Sequence, residues 1–214
     1  PTPTYKYMTI PSYFGLYEEA VKKYWNLPAL SDYQSETFTY ADVACEIARL
    51  HAAFRASGVE KGDRIAICGR NSSRWGMAFW AVLTYGAVAV PILHEFHPSQ
   101  VADIVAHSEA KVFFVDAMIW PKLDAAAFAS VGAVISLKDY SLNMGATLTA
   151  MPDKMEGITP DDVHYHRDEA EEMAILNYTS GTTSNSKGVM IPYRAIWSNY
   201  DFAVTVLGME MHPG

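Results

Sequence analysis

Between Arg64 and Leu137 the chain repeats one pattern, a short apolar run followed by a stretch with helical spacing, and this alternation narrows the fold more than any other feature. Ile65-Ala66-Ile67-Cys68, Ala87-Val88-Ala89-Val90-Pro91-Ile92, Lys111-Val112-Phe113-Phe114-Val115 and Ala133-Val134-Ile135-Ser136-Leu137 are the strand candidates. They are apolar throughout rather than at every second position, the mark of strands buried on both faces. Between them stand Ser73 to Tyr85, a segment opened by Pro98 that carries Val101, Ile104 and Val105, and a weaker helical stretch from Ile119 to Phe128. Proline suits the first turn of a helix, where its missing N–H removes no bond. Strands that alternate with helices pair in parallel through right-handed crossovers. The expected fold is α/β, a largely parallel sheet with helices on both faces, with the strands around Ile67, Val90, Phe114 and Ile135 in one sheet.

The flanks carry their own signals. Tyr17 to Tyr24 reads as a short helix before Pro28, and Leu27 to Asp32 with Glu36 to Thr39 as the arms of a small hairpin around Tyr33-Gln34-Ser35. Thr39 and Asp42 have capping-box spacing, so each can satisfy a free N–H at a helix start. Val43, Ile47, Leu50 and Phe54 then share one helical face, and Gly58 supplies the stop. Residues 138 to 171 break the rhythm with Gly145, Pro152, Gly157 and Pro160, and Asp161, Asp162, Asp168, Glu169, Glu171 and Glu172 make an acidic run. The stretch reads as a long surface connection. Pro192 opens a final helix with Ile196, Tyr200, Ala203 and Leu207 on one face.

The chemistry concentrates in Tyr178-Thr179-Ser180-Gly181-Thr182-Thr183-Ser184-Asn185-Ser186-Lys187-Gly188. Apolar β-formers precede it, Met173 to Leu176, and Val189-Met190-Ile191 follow, so it reads as a loop between two strands. Hydroxyls at Thr179, Ser180, Thr182 and Thr183 donate hydrogen bonds, Gly181 lets backbone N–H groups approach closely, and Lys187 brings a mobile positive charge. Such a loop suits phosphate. An exposed Ser/Thr/Gly linker is the plain alternative. A Walker loop is excluded, because Lys187 follows Ser186 rather than glycine and precedes Gly188 rather than a hydroxyl.

Tyr-Thr-Ser-Gly-Thr-Thr followed by Lys-Gly-Val-Met resembles the phosphate loop of the adenylate-forming enzymes, which include acyl-CoA synthetases, luciferases and the adenylation domains of peptide synthetases. Phe38-Thr39-Tyr40, Gly62 to Ala66, Tyr85 to Pro91 and Ser108 to Val112 resemble further landmarks of acyl-CoA synthetases, the long-chain fatty-acid ligases most closely. The resemblance runs from about Tyr17 onward. The chain departs from it at Ser184, Ser186 and Pro192-Tyr193, where the family usually has Gly, Pro and Thr-His. What the resemblance implies is an AMP-forming acid-thiol ligase: ATP and a carboxylate, a fatty acid by analogy, give acyl-adenylate and pyrophosphate, and the acyl group passes to coenzyme A. It implies ATP-phosphate binding by Thr179, Ser180, Gly181, Thr182, Thr183 and Lys187, with Mg2+ on the phosphates. Residues 1–214 then correspond to the N-terminal part of a larger adenylate-forming domain, expected to be inactive alone and prone to self-association. A non-catalytic nucleotide-binding or assembly module of the same fold is the alternative, favoured by Ser184 and Ser186.

A formal net charge of −8 argues against a general nucleic-acid binder. No signal peptide or transmembrane run is visible, so a cytoplasmic protein is expected, with peripheral membrane contact left open. Cys45 and Cys68 lie in apolar contexts and read as reduced core residues. His94, His97 and His107, and separately His164 and His166, invite a metal reading; surface or hydrogen-bonded histidine is the plainer one. Trp75, Phe79 and Trp80 suit core packing better than an acyl tunnel.

Overall fold

The computed structural model describes residues 12–145, 157–179 and 187–209. Helix α1 (Tyr13–Lys23) leads into an antiparallel hairpin of β1 (Pro28–Ser31) and β2 (Thr37–Thr39). Helix α2 (Tyr40–Ala56) starts on the expected capping box. The Asp42 N–H donates to Thr39 Oγ1 at 3.2 Å and the Thr39 N–H to the Asp42 carboxylate at 2.8 Å. Val43, Ile47, Leu50 and Phe54 are all buried, and Gly58, at φ 68°, follows the helix in the left-handed conformation that glycine tolerates best.

The alternating segment becomes β3 (Arg64–Cys68), α3 (Ser73–Tyr85), β4 (Val88–Ile92), α4 (Pro98–His107), β5 (Val112–Val115) and β6 (Ala133–Ser136). After it come β7 (Leu142–Met144), β8 (Met173–Thr179), β9 (Lys187–Pro192) and α5 (Tyr193–Thr205). They form one seven-stranded sheet in the order β7-β6-β5-β3-β4-β8-β9. The inner pairings are parallel, and β7 and β9 close the two edges antiparallel. The strands around Ile67, Val90, Phe114 and Ile135 are thus consecutive neighbours, as the alternation predicts.

Helices cover both faces, and the strands divide their side chains between them. Ile65 and Ile67 of β3 join Phe114, Ile135 and the inner faces of α1, α2 and α3. Ala66 and Cys68 join Phe113, Val134 and the Val101, Ile104 and Val105 face of α4. Neighbouring Phe113 and Phe114 are each fully buried, one in each layer, and each contributes roughly 1.5–3 kcal/mol of transfer free energy. Trp75 stacks on Phe79 and Trp80 on Tyr17, all packed against the first layer. Cys68 is buried in the second layer as a free thiol whose pKa burial pushes up to about 12; Cys45 is free and half-buried.

Helix α1 starts at Tyr13 rather than Tyr17 and α5 stops at Thr205, before Leu207, and two further stretches differ from expectation. The helix expected from Ile119 to Phe128 is a pair of 3-10 turns, Trp120–Lys122 and Ala125–Phe128. Pro121 removes one donor, and Asp124 restarts the turn by accepting from the Ala126 N–H at 3.0 Å. The second is 138–171, read as a surface connection. It contributes the edge strand β7, and it buries Val163, Tyr165 and Asp168. The acidic run is therefore not one solvated face. Its residues 146–156 lie outside the described residues.

Candidate functional site

Strands β4 and β8 run parallel with Ala89 opposite Ile175, so Thr179 ends β8 at the carboxyl edge of the sheet, next to the end of β4 and on the same edge as the ends of β3 and β5. There the chain turns back. β9 pairs antiparallel with β8 in a register that sets Leu176 against Met190, Tyr178 against Gly188 and Thr179 against Lys187. The structure thus brings together two of the expected phosphate ligands, Thr179 and Lys187, at the feet of the turn, both exposed. Ser180, Gly181, Thr182 and Thr183, with Ser184 and Ser186, lie outside the described residues.

The feet are built on a packed base. Tyr178 is 4% exposed, and its hydroxyl stands 2.6 Å from Nδ1 of His107, the last residue of α4. The two rings meet edge-on at 5.7 Å. Burial pushes the Tyr178 phenol up, so it keeps its proton and we assign it as donor to the ring nitrogen. Across the ladder a Cβ on Gly188 would lie 3.0 Å from Leu176 Cδ1 and 3.3 Å from Tyr178 Cζ. The glycine after the lysine is therefore a packing glycine.

A cavity of about 380 Å3 opens at the same edge, lined by Arg70, His94, Asp116, Met118, Ile119 and Lys122. Arg70 follows β3 and Asp116 follows β5; from β3 the chain goes to β4 on one side, and from β5 to β6 on the other. Open α/β sheets bind ligands where neighbouring connections diverge in this way. Its basic side chains lie far apart in the chain, so only the topology reveals them as a group.

Four of the five histidines weighed as metal ligands have other partners. His97 caps α4, with Nδ1 2.9 Å from Ser99 Oγ, and His166 bonds Glu172 at 2.8 Å. His94 faces Glu95 at 3.9 Å, and His107 holds Tyr178. No cluster of three or more potential ligands occurs among the described residues.

A model of the AMP-binding enzyme family matches residues 17–212. The chain belongs to that family. Long chain acyl-CoA synthetase 1 of Arabidopsis thaliana is 28% identical over 185 residues, 81% of this chain and 27% of that protein. Tyrocidine synthase 3 of Brevibacillus parabrevis is 28% identical over 169 residues, 77% of this chain and 2% of that one. Among solved structures, the fatty acyl-adenylate ligase from L. pneumophila, crystallised with acyl adenylate and pyrophosphate, aligns with a TM-score of 0.71. The alignment covers 94% of this chain and 34% of the ligase at 22% identity, a likeness of fold. The chain spans about a quarter of the length of its plant relative. The AMP-binding match takes in the whole sheet, including the β8–β9 turn. Two residues that sequence reading left out of this site are His107, whose contact with Tyr178 spans 71 positions, and Gly188, whose role needs the strand register.

Proposed function

We propose that the β8–β9 turn is the ATP-phosphate loop of a ligase that activates a carboxylate as an acyl-adenylate and passes the acyl group to coenzyme A. The observation that supports it best is the pairing of Thr179 with Lys187 at the carboxyl edge of the sheet, inside a chain that belongs to the AMP-binding enzymes. In the first step a carboxylate oxygen bonds to the α-phosphorus, the bond to the bridging oxygen breaks, and charge gathers on the departing pyrophosphate. Hydroxyl and N–H donors from Thr179 to Thr183 hold the β- and γ-phosphates and Lys187 offsets that charge, and loss of one donor to such a developing charge costs up to roughly 1000-fold in rate. Mg2+, when bound, would supply further positive charge to the same phosphates. Arg70 and Lys122 at the cavity on the same edge offer cations, and His94 a hydrogen-bonding ring, to a second anionic substrate such as coenzyme A.

A long-chain fatty acid is the proposed carboxylate, supported by the similarity to the plant synthetase. No helix among the described residues is long and apolar enough to cross a membrane, and we propose a cytoplasmic enzyme. Exposed Met190 on β9, Phe202 on α5 and Leu207 just past the end of α5 favour self-association of residues 1–214 studied alone.

A non-catalytic nucleotide-binding module is the second reading, favoured by Ser184 and Ser186. The test is fatty-acid-dependent ATP–pyrophosphate exchange by the full-length protein, followed by thioester formation with coenzyme A. Exchange and thioester support the ligase. ATP binding without exchange supports the module, and neither would remove both readings. Residues 1–214 alone are expected to show no turnover, because rate depends on holding both reactants in one geometry.

A further inference from the structure

We propose that His107 and Tyr178 are positioning residues for the nucleotide loop: the bond between them fixes the exit of β8 and, through it, the spacing of Thr179 and Lys187. The inference rests on the phosphate-loop reading above. Helix α4 is seated on the sheet through Val101, Ile104 and Val105, in the same core layer as Tyr178. Its last residue, His107, reaches the Tyr178 hydroxyl at 2.6 Å. β8 is bridged to β4 at Ile175 and Ala89, three residues before Tyr178, so its exit is held by packing against β4, by the β9 ladder and by this bond. Tyr178 is covalently next to Thr179, and its ladder partner Gly188 is covalently next to Lys187. The tyrosine ring thus touches the base of both feet, as the 3.3 Å approach between a Gly188 Cβ and Tyr178 Cζ would require. Donors at Thr179 and Lys187 that are already held at one spacing leave less ordering to the binding step.

The test is made in the full-length protein with Tyr178→Phe, His107→Ala, the double variant, and His107→Asn, whose amide can take the place of Nδ1. Expected is a KM for ATP raised about 5- to 10-fold in each of the first two, the equivalent of one hydrogen bond, with the carboxylate KM unchanged. The double variant should be no worse than either single, and His107→Asn should recover most of the loss. Amide hydrogen exchange, which needs no turnover, should quicken around Thr179 and Lys187 in Tyr178→Phe. An unchanged ATP KM in variants of an enzyme that exchanges pyrophosphate overturns the positioning role and leaves the loop reading intact. Equal rises in both KM values overturn it as well, since they mark general destabilisation. A wild-type protein that neither binds ATP nor exchanges pyrophosphate overturns both.

Discussion

The Ser12 hydroxyl donates to the Asp168 carboxylate at 2.6 Å, although 156 positions separate the two residues. Asp168 also accepts from the Tyr13 and Phe14 N–H groups at 3.2 and 3.0 Å and from Trp197 Nε1 at 2.8 Å. One buried carboxylate therefore satisfies free donors at the start of α1 and ties that helix to α5. Asp168→Ala leaves these donors unmet and should lower stability by about 3 kcal/mol or more in urea titration, with Asp168→Asn losing roughly half as much. A loss below about 0.5 kcal/mol in the alanine variant would mean that water replaces the clamp.

His51 makes stability depend on pH above the carboxylate range. Its Nε2 lies 2.9 Å from the Ala81 carbonyl and 3.1 Å from Thr84 Oγ1, whose own proton goes to Trp80 O at 2.6 Å. Nε2–H is thus the donor, and burial pushes the pKa from 6.5 down to about 4. Between those values the unfolded chain binds a proton that the folded chain refuses, so stability falls as pH drops from about 6.5 towards 4, by up to about 3 kcal/mol. Glu172 acts lower. Burial raises its pKa, but hydrogen bonds from Lys61 and His166 outweigh that and hold it below 4.5. Its contribution is present above 4.5 and is lost as pH falls through the lowered value. Urea midpoints from pH 4 to 7 should show the upper step in the wild type and a flatter curve in His51→Gln; equal slopes would show that His51 does not titrate on unfolding.

Lys187 tests the chemistry of the turn. It is exposed at the first position of β9, with no ion pair recorded to the described residues, so truncation removes little packing. Lys187→Ala in the full-length protein should slow adenylate formation by roughly 10- to 1000-fold, while the thermal midpoint stays within about 2 °C. Adenylate formation at the wild-type rate would take Lys187 out of the reaction.

What was legible in the chain follows from how local each cause is. β3 to β6 announce themselves because strands covered on both faces must be apolar at every position, and Thr39 and Asp42 because a capping box spans only one helical turn. Lys187 and the hydroxyls are legible as a phosphate motif because they are consecutive. Asp168 is not, since it sits among acidic neighbours and its partners Ser12 and Trp197 lie 156 and 29 positions away. The start of α1 at Tyr13 rather than Tyr17 has the same origin, because the helix begins where Asp168 and Ser12 receive its N–H groups. His107 and the lining of the cavity at Arg70 and Lys122 likewise become neighbours only when strand order is known.

Gly188 separates positioning of the turn from stability of the fold. It is not among the glycines with positive φ, so alanine meets no backbone strain there. The added Cβ meets the flexible end of Leu176 at 3.0 Å and the Tyr178 ring at 3.3 Å. Leucine can shift by a few tenths of an ångström, but the tyrosine is held by His107 at 2.6 Å. The strain should therefore pass into β9 and move Lys187. Gly188→Ala is expected to cost about 1 kcal/mol of stability and to raise the ATP KM several-fold. Gly86→Ala is the counterpart: at φ 87°, with the His166 ring 3.0 Å from the new Cβ, it should cost more, roughly 2–3 kcal/mol, and leave the ATP KM near wild type. Urea midpoints and ATP kinetics on the two variants decide the matter. If nucleotide affinity follows stability in both, Gly188 serves only the fold; if it falls in Gly188→Ala alone, the glycine after the lysine is there to set the turn.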